Sequence, residues 1–198
     1  MLDIGGLIPF TTIDYPGNLS AVVFCQGCPW RCRYCHNRHI QHTGRHGKVS
    51  WDEIVELFNR RHALLDAVVF SGGEPTMQPR LPEALKAIRE LGFKVGLHTA
   101  GPYPERLLDC LPWLDWVGMD IKAPFEEYEA ITGISGSGSA ARRSAGLLCN
   151  SAVNAQFRTT LDPFLQANGR IERMRRMVER WGKELVVQSL VIVAHRNQ

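Results

Sequence analysis

Short runs of apolar and β-branched residues alternate along the chain with longer stretches whose apolar positions recur at helical spacing. Ala21–Phe24, Ala67–Phe70, Lys94–Leu97, Trp116–Met119, Asn154–Arg158 and Leu185–Val191 read as strands. Between them, helices are predicted over Trp51–Arg61, Pro82–Leu91, Pro104–Leu111, Glu126–Ile131, Ala140–Asn150 and Ile171–Trp181. Ser50 and Glu53 have the spacing of a capping box that opens the first helix. Gly92 supplies a stop signal just past Leu91. Six strands, each neighboured by a helix, imply right-handed βαβ units and hence a parallel sheet. The Gly/Ser-rich stretch Gly133–Ser139 reads as a loop within a single domain spanning residues 1–198.

The polar and reactive residues fall at the ends of these strands. A cysteine loop, residues 25–37, follows the first, and Ser71-Gly72-Gly73-Glu74-Pro75 follows the second. Residues 98–101 follow the third, 120–122 the fourth and 158–160 the fifth, while Gln188 and Ser189 lie in the sixth. Parallel α/β barrels build their sites at the C-terminal strand ends. An open doubly wound sheet would concentrate such residues at one switch point. The fold class expected is therefore α/β, a partial (β/α)6 TIM-like barrel of parallel strands.

Cys28, Cys32 and Cys35 form a C-x3-C-x2-C run. Three thiolates from one short loop suit a four-iron cluster that leaves one iron without a cysteine, whereas electron-transfer clusters usually take four. A tetrahedral zinc site is the rival, because Cys25 makes a fourth thiol. Zinc ribbons, however, set two C-x2-C pairs about 15–20 residues apart, and here all four cysteines share eleven residues. Disulfides are the third reading. The chain begins without a basic, then apolar, export signal, and 198 residues with 44% hydrophobic content can bury a core without staples. Cys110 and Cys149, in apolar surroundings, read as inert buried thiols.

Composition narrows the partners. Lys and Arg total 23 against 20 for Asp and Glu, a balance that predicts no nucleic-acid binding. No apolar run is long enough to span a membrane. The Arg-rich stretch Arg170–Arg180 carries apolar residues at helical spacing and reads as a solvated helix face. Reduced cysteines and no export signal point to the cytoplasm.

The two strand-end motifs together resemble those of the radical S-adenosylmethionine (SAM) superfamily. Cys28-x3-Cys32-x-Tyr34-Cys35 is similar to its cluster motif, and Ser71-Gly72-Gly73-Glu74-Pro75 to the signature that contacts the methionine amino group of SAM. Gly6–Gly17 ahead of the first strand, with Cys35-His36-Asn37, is similar to the glycyl-radical-enzyme activases. Among these, the text most resembles the activating proteins of anaerobic ribonucleoside-triphosphate reductase. The pyruvate formate-lyase activases share much of it.

The resemblance implies a [4Fe-4S] cluster held by Cys28, Cys32 and Cys35, and SAM as second cofactor. It implies a glycyl radical enzyme as partner, with anaerobic ribonucleoside-triphosphate reductase favoured, and a flavodoxin- or ferredoxin-type reductant. Cys25 has no ligand role in that pattern. Gly72 and Gly73 would let the backbone approach SAM closely, with Glu74 accepting from its ammonium group. Lys122 and Arg158 would face its carboxylate and ribose, and Asp120 would orient the neighbourhood of Lys122 or a ribose hydroxyl, or help bind a cation. Tyr34 would pack beside the adenine, and His98 and Thr99 are further expected contacts. Plain alternatives remain for each: a strand-to-helix turn for Gly72–Pro75, rim charges for Lys122 and Arg158, and a hydrogen-bonded barrel histidine for His98. Other activities also stay open: a radical SAM enzyme acting on a small molecule or nucleoside, a zinc-binding interaction domain, or a plain electron carrier.

Overall fold

The structure is a computed structural model and describes residues 2–44 and 47–189. Seven strands lie in one sheet in chain order: β1 (Ile4–Thr11), β2 (Ser20–Cys25), β3 (Ala67–Gly72), β4 (Lys94–Thr99), β5 (Trp116–Asp120), β6 (Asn154–Leu161) and β7 (Leu185–Ser189). From β2 to β7 every pairing is parallel and joins consecutive strands. Among the described residues seven α-helices occupy the crossovers: α1 (Trp51–Arg61), α2 (Leu81–Glu90), α3 (Pro104–Cys110), α4 (Glu129–Thr132), α5 (Ser137–Cys149), α6 (Pro163–Gln166) and α7 (Arg170–Glu179). The parallel strands β2 to β6, each followed by a covering helix, form with β7 the partial barrel expected.

All six predicted strands are present. The last two positions of Leu185–Val191 lie outside the described residues. α1 has the predicted bounds and opens on the complete Ser50–Glu53 capping box. Two differences are informative. β1 was not predicted, because Gly5, Gly6 and Pro9 dilute its apolar pattern. It pairs antiparallel with β2 at the sheet edge, a position where a proline costs no ladder hydrogen bond. The Gly133–Ser139 segment is a loop only as far as Gly136; Ser137 begins α5 and is buried there.

The strand alternation of period two sorts the sheet into two faces. Ala21, Val23, Val68, Phe70, Val95, Leu97, Val117 and Phe157 point outward and pack with Ile54, Phe58, Leu85, Ile88, Leu107, Leu148 and Val178 of the helices. Val22, Ala67, Val69 and Trp116 point inward and form a smaller cluster with Tyr15, from the turn after β1. The inner face is kept narrow by two missing side chains. A Cβ on Gly96 would lie 3.0 Å from the Tyr15 ring, and one on Gly118 would lie 2.8 Å from Arg158 Cζ. One end of the barrel is thus plugged by Tyr15 and Trp116, whose rings are 5.3 Å apart. The inward positions above the plug are free for chemistry.

Gly118→Ala should therefore destabilise the fold by about 1–3 kcal/mol, as overpacking does, because the new methyl would also meet Trp116 Cη2 at 2.7 Å. Gly6→Ala, where a Cβ meets nothing within 4 Å, is the control. Urea midpoints of the two variants would separate the effects; equal midpoints would mean that the inner face is looser than described.

Candidate functional site

Continuing the inward register upward from the plug gives Ser71, His98, Asp120, Lys122, Arg158 and Thr160. All six line an open cavity of about 200 Å3, together with Cys28, Cys32, Cys35, Tyr34, Gly72, Gly73, Glu74 and Thr99. The three cysteines and the expected cofactor contacts thus share one cavity, whereas Gln188 and Ser189 of the last strand are exposed and do not line it. Cys25 does not line it either: it points outward from β2, fully buried against the helix layer. All six cysteines are unbridged in the structure.

The cysteine loop is anchored on several sides. Gly27 N–H donates to Ile40 O at 2.7 Å and Cys28 N–H to Gln41 O at 3.0 Å. Arg31 N–H donates to Thr132 O at 2.8 Å, and Arg33 N–H to Ile131 O at 3.2 Å. The Arg33 guanidinium pairs with Asp162 and lies over the Phe164 ring. Sequence reasoning passed over Arg33 and Asp162, since an Arg between two cysteines and an Asp 129 residues later carry no shared signal.

The second loop is stitched to the first. Gly73 N–H donates to Cys25 O at 2.9 Å and Glu74 N–H to Gly27 O at 2.8 Å, which extends the parallel β2–β3 pairing beyond the sheet. Both glycines are required. Gly72 has φ +110, and a Cβ on Gly73 would lie 2.1 Å from Gly27 O.

Glu74 is almost fully buried, and its carboxylate already has four protein donors. Oε1 accepts from Thr76 N–H at 3.1 Å, Thr76 Oγ1 at 2.6 Å and Thr99 Oγ1 at 2.7 Å, and Oε2 from Ala100 N–H at 2.9 Å. These bonds tie the end of β3 to the end of β4, and Glu74 remains part of the cavity lining. Thr99 Oγ1 donates to Glu74 and accepts from Gly101 N–H at 3.0 Å.

The charged floor is a network around Asp120. Arg158 Nε donates to Asp120 Oδ1 at 3.1 Å and Lys122 Nζ to Oδ2 at 3.0 Å. Burial pushes the Asp120 carboxyl up, but the two cations outweigh it and hold it well below the usual carboxylate range. Burial likewise opposes charge on Lys122, and Asp120 outweighs it, so the ammonium persists. One acid between two cations leaves a net positive floor. His98 Nε2 lies 2.9 Å from Asp14 O and 3.2 Å from Arg158, and its Nδ1 lies 3.3 Å from Ser71 Oγ. Burial and the Arg158 charge push its pKa down to about 4, despite the opposing pull of Asp120 and Asp14, so the ring is neutral.

Tyr34 lies with Lys122 Nζ 5.6 Å from its ring centre. Its hydroxyl is buried with no hydrogen-bond partner. Burial pushes Cys28 up to about 12 and also raises Cys32, so both thiols are protonated and metal binding would displace those protons. Cys28, Cys32 and Cys35 are each partly exposed on one cavity. With Tyr34 Oη unsatisfied and two glycines opposite, they fit a thiolate-held cluster beside an organic ligand. A four-thiol zinc cage does not fit, because Cys25 belongs to the other face of the sheet. Among the described residues no helix is long and apolar enough to cross a membrane.

Comparison with known proteins agrees with this geometry. Residues 22–166 match the sequence profile of the radical SAM superfamily. A Methanocaldococcus jannaschii protein provisionally named a glycyl-radical enzyme activating enzyme is 36% identical over 130 residues, 64% of this chain and 52% of that protein. The pyruvate formate-lyase-activating enzyme of Clostridium pasteurianum is 35% identical over 127 residues, 61% and 53% of the respective chains. The chain thus spans about half the length of the curated relatives it matches. Among solved structures, Streptococcus suis SuiB bound to S-adenosylmethionine superposes with TM-score 0.69 at 13% identity, over 86% of this chain and 40% of that one.

Two outcomes are expected. In the folded chain His98 stays neutral between about 6.5, its ordinary value, and about 4. The unfolded chain binds the extra proton there, so the stability due to neutral His98 is lost as pH falls through that window. Between pH 7 and pH 5 the urea midpoint of the wild type should fall relative to that of His98→Gln; parallel profiles would refute the buried neutral ring. Thr99→Val should cost about 1–3 kcal/mol by removing one buried donor from Glu74, read as a drop in thermal midpoint, and an unchanged midpoint would refute the tie between β3 and β4.

Proposed function

The chain belongs to the radical SAM superfamily, and from that premise we propose that it is an activating enzyme that installs a glycyl radical on a partner protein. The observation that carries this reading is the meeting of the Cys28–Cys32–Cys35 loop and the Gly72–Gly73 backbone on one cavity, in a chain 31–36% identical to several activating enzymes. When bound, a [4Fe-4S] cluster and SAM together supply one-electron reductive cleavage of a sulfonium and hydrogen-atom abstraction from carbon. Cys28, Cys32 and Cys35 would hold the cluster. Gly72 and Gly73 offer backbone groups to the methionine end of SAM, and a Cβ at either would collide with the backbone of residues 24–27. The Asp120–Lys122–Arg158 floor, one positive charge in excess, favours its carboxylate. The unpaired Tyr34 hydroxyl and neutral His98 provide polar edges for the nucleoside end, and Glu74 and Thr99 hold that wall in place.

Anaerobic ribonucleoside-triphosphate reductase is the favoured partner, on the similarity of Gly6–Gly17 and Cys35–Asn37 to its activating proteins. An enzyme of the pyruvate formate-lyase kind is the second reading, favoured by the Clostridium pasteurianum relative. The electron would come from a flavodoxin or ferredoxin, and the setting would be the cytoplasm. Chemistry on a small molecule or nucleoside is the remaining possibility within this superfamily.

The test is anaerobic. The protein, reconstituted with iron and sulfide and reduced, should form 5′-deoxyadenosine from SAM, and Cys32→Ala should reduce this to background. Adding each candidate glycyl radical protein should then produce a carbon-radical resonance with only one of them. Cluster formation without SAM cleavage, even with partners present, would sink the proposal in favour of an electron carrier.

A further inference from the structure

A second concavity, of about 590 Å3, lies outside the barrel between α7, the start of α5 and the turn at Phe125–Glu127. Its walls carry the guanidinium groups of Arg142, Arg173, Arg176 and Arg180 around Phe125 and Trp181. Arg173 is neutralised by Glu126 and Glu127. Arg142 lies over the Phe125 ring at 5.2 Å. Arg176 and Arg180 are exposed and have no acidic partner within 4 Å among the described residues; the nearest acids along the helix are Glu172, which faces Arg175, and Glu179. A solvated helix face would normally alternate its charges, whereas this groove presents an uncompensated positive surface.

The floor of the groove also leads inward. Trp181 and Phe125 have ring centres 6.3 Å apart, Phe125 and Tyr128 5.6 Å, and Tyr128 and Trp30 5.8 Å. Trp30 is buried and lines the cysteine cavity beside Cys28 and Cys32. Four rings in contact therefore connect the arginine groove to the loop that would hold the cluster. An acidic nucleotide or an unrelated acidic protein would use the charge and have no need of this path.

We propose that the groove docks the acidic face of a one-electron carrier protein, and that the Trp181–Phe125–Tyr128–Trp30 rings bridge that carrier to the cysteine loop. This rests on the cluster-bearing reading above. One electron leaves the reduced carrier and one is gained at the cysteine loop; no bond or proton changes at the groove. Arg176 and Arg180 steer and hold the carrier, and their effect lies in association rate and salt dependence.

The test uses the reconstituted protein, Arg176→Glu/Arg180→Glu in the same background, and reduced flavodoxin as the probe. Binding of flavodoxin, measured by calorimetry at low salt, should weaken about tenfold or more in the variant and should weaken in the wild type as salt is raised. The rate of flavodoxin-driven bleaching of the cluster should fall in parallel, while bleaching by dithionite stays unchanged. Equal flavodoxin affinity in both proteins would overturn the proposal. So would unaltered flavodoxin kinetics with weakened binding of the glycyl radical protein, which would assign the groove to that partner. Failure to assemble a cluster in the wild type would instead overturn the functional reading on which the proposal rests.

Discussion

Two backbone hydrogen bonds, Gly73 N–H to Cys25 O and Glu74 N–H to Gly27 O, set the geometry on which the site depends. They carry the parallel β2–β3 pairing past the end of the sheet and lock the cysteine loop against the loop that faces it. A Cβ on Gly73 would lie 2.1 Å from Gly27 O, the acceptor of the second bond. The alignment of the two bonds in turn relies on Glu74, whose buried carboxylate is held by Thr76, Thr99 and Ala100. A carboxylate in this setting is desolvated, and only its full set of donors makes it tolerable. The most buried acid of the site thus joins the ends of β3 and β4 while lining the same cavity as the glycines and thiols.

Electrostatics complete the arrangement. Asp120 would be costly alone at the barrel floor, and so would Lys122 or Arg158. As a triad they stabilise one another and leave a single excess positive charge. His98 stays neutral within this field because it is buried beside Arg158. The cavity is thus positive through fixed groups whose charge does not change near neutral pH. It suits an anionic group at the floor and a neutral, hydrogen-bonding ligand at the wall.

Much of this was legible in the linear text. Strands with period-two alternation and helices at the 3.6-residue period were visible because burial on one face imposes those periods, and α1 was delimited by its own capping box. β1 was not legible, since an edge strand needs no continuous apolar pattern and its glycines and proline are tolerated there. Tyr15 as the barrel plug left no signal either: its neighbours Gly96 and Trp116 are more than 80 residues away in the chain.

The linear sequence alone determined the chemistry on offer: three closely spaced thiols, a Gly-Gly turn, and a cation or acid at the end of nearly every strand. Local spacing suffices for this because strand ends in a parallel βα repeat must gather at one rim. Tertiary structure alone decided which of those groups are available to a ligand. Cys25, three residues from Cys28, faces the helix layer because strand register turns it there. Glu74 takes donors from Thr76 and from the end of β4, and among the described residues Arg176 and Arg180 have no acidic partner beside a path of rings drawn from three separate segments. These outcomes depend on contacts distant in sequence, and no local pattern encodes them.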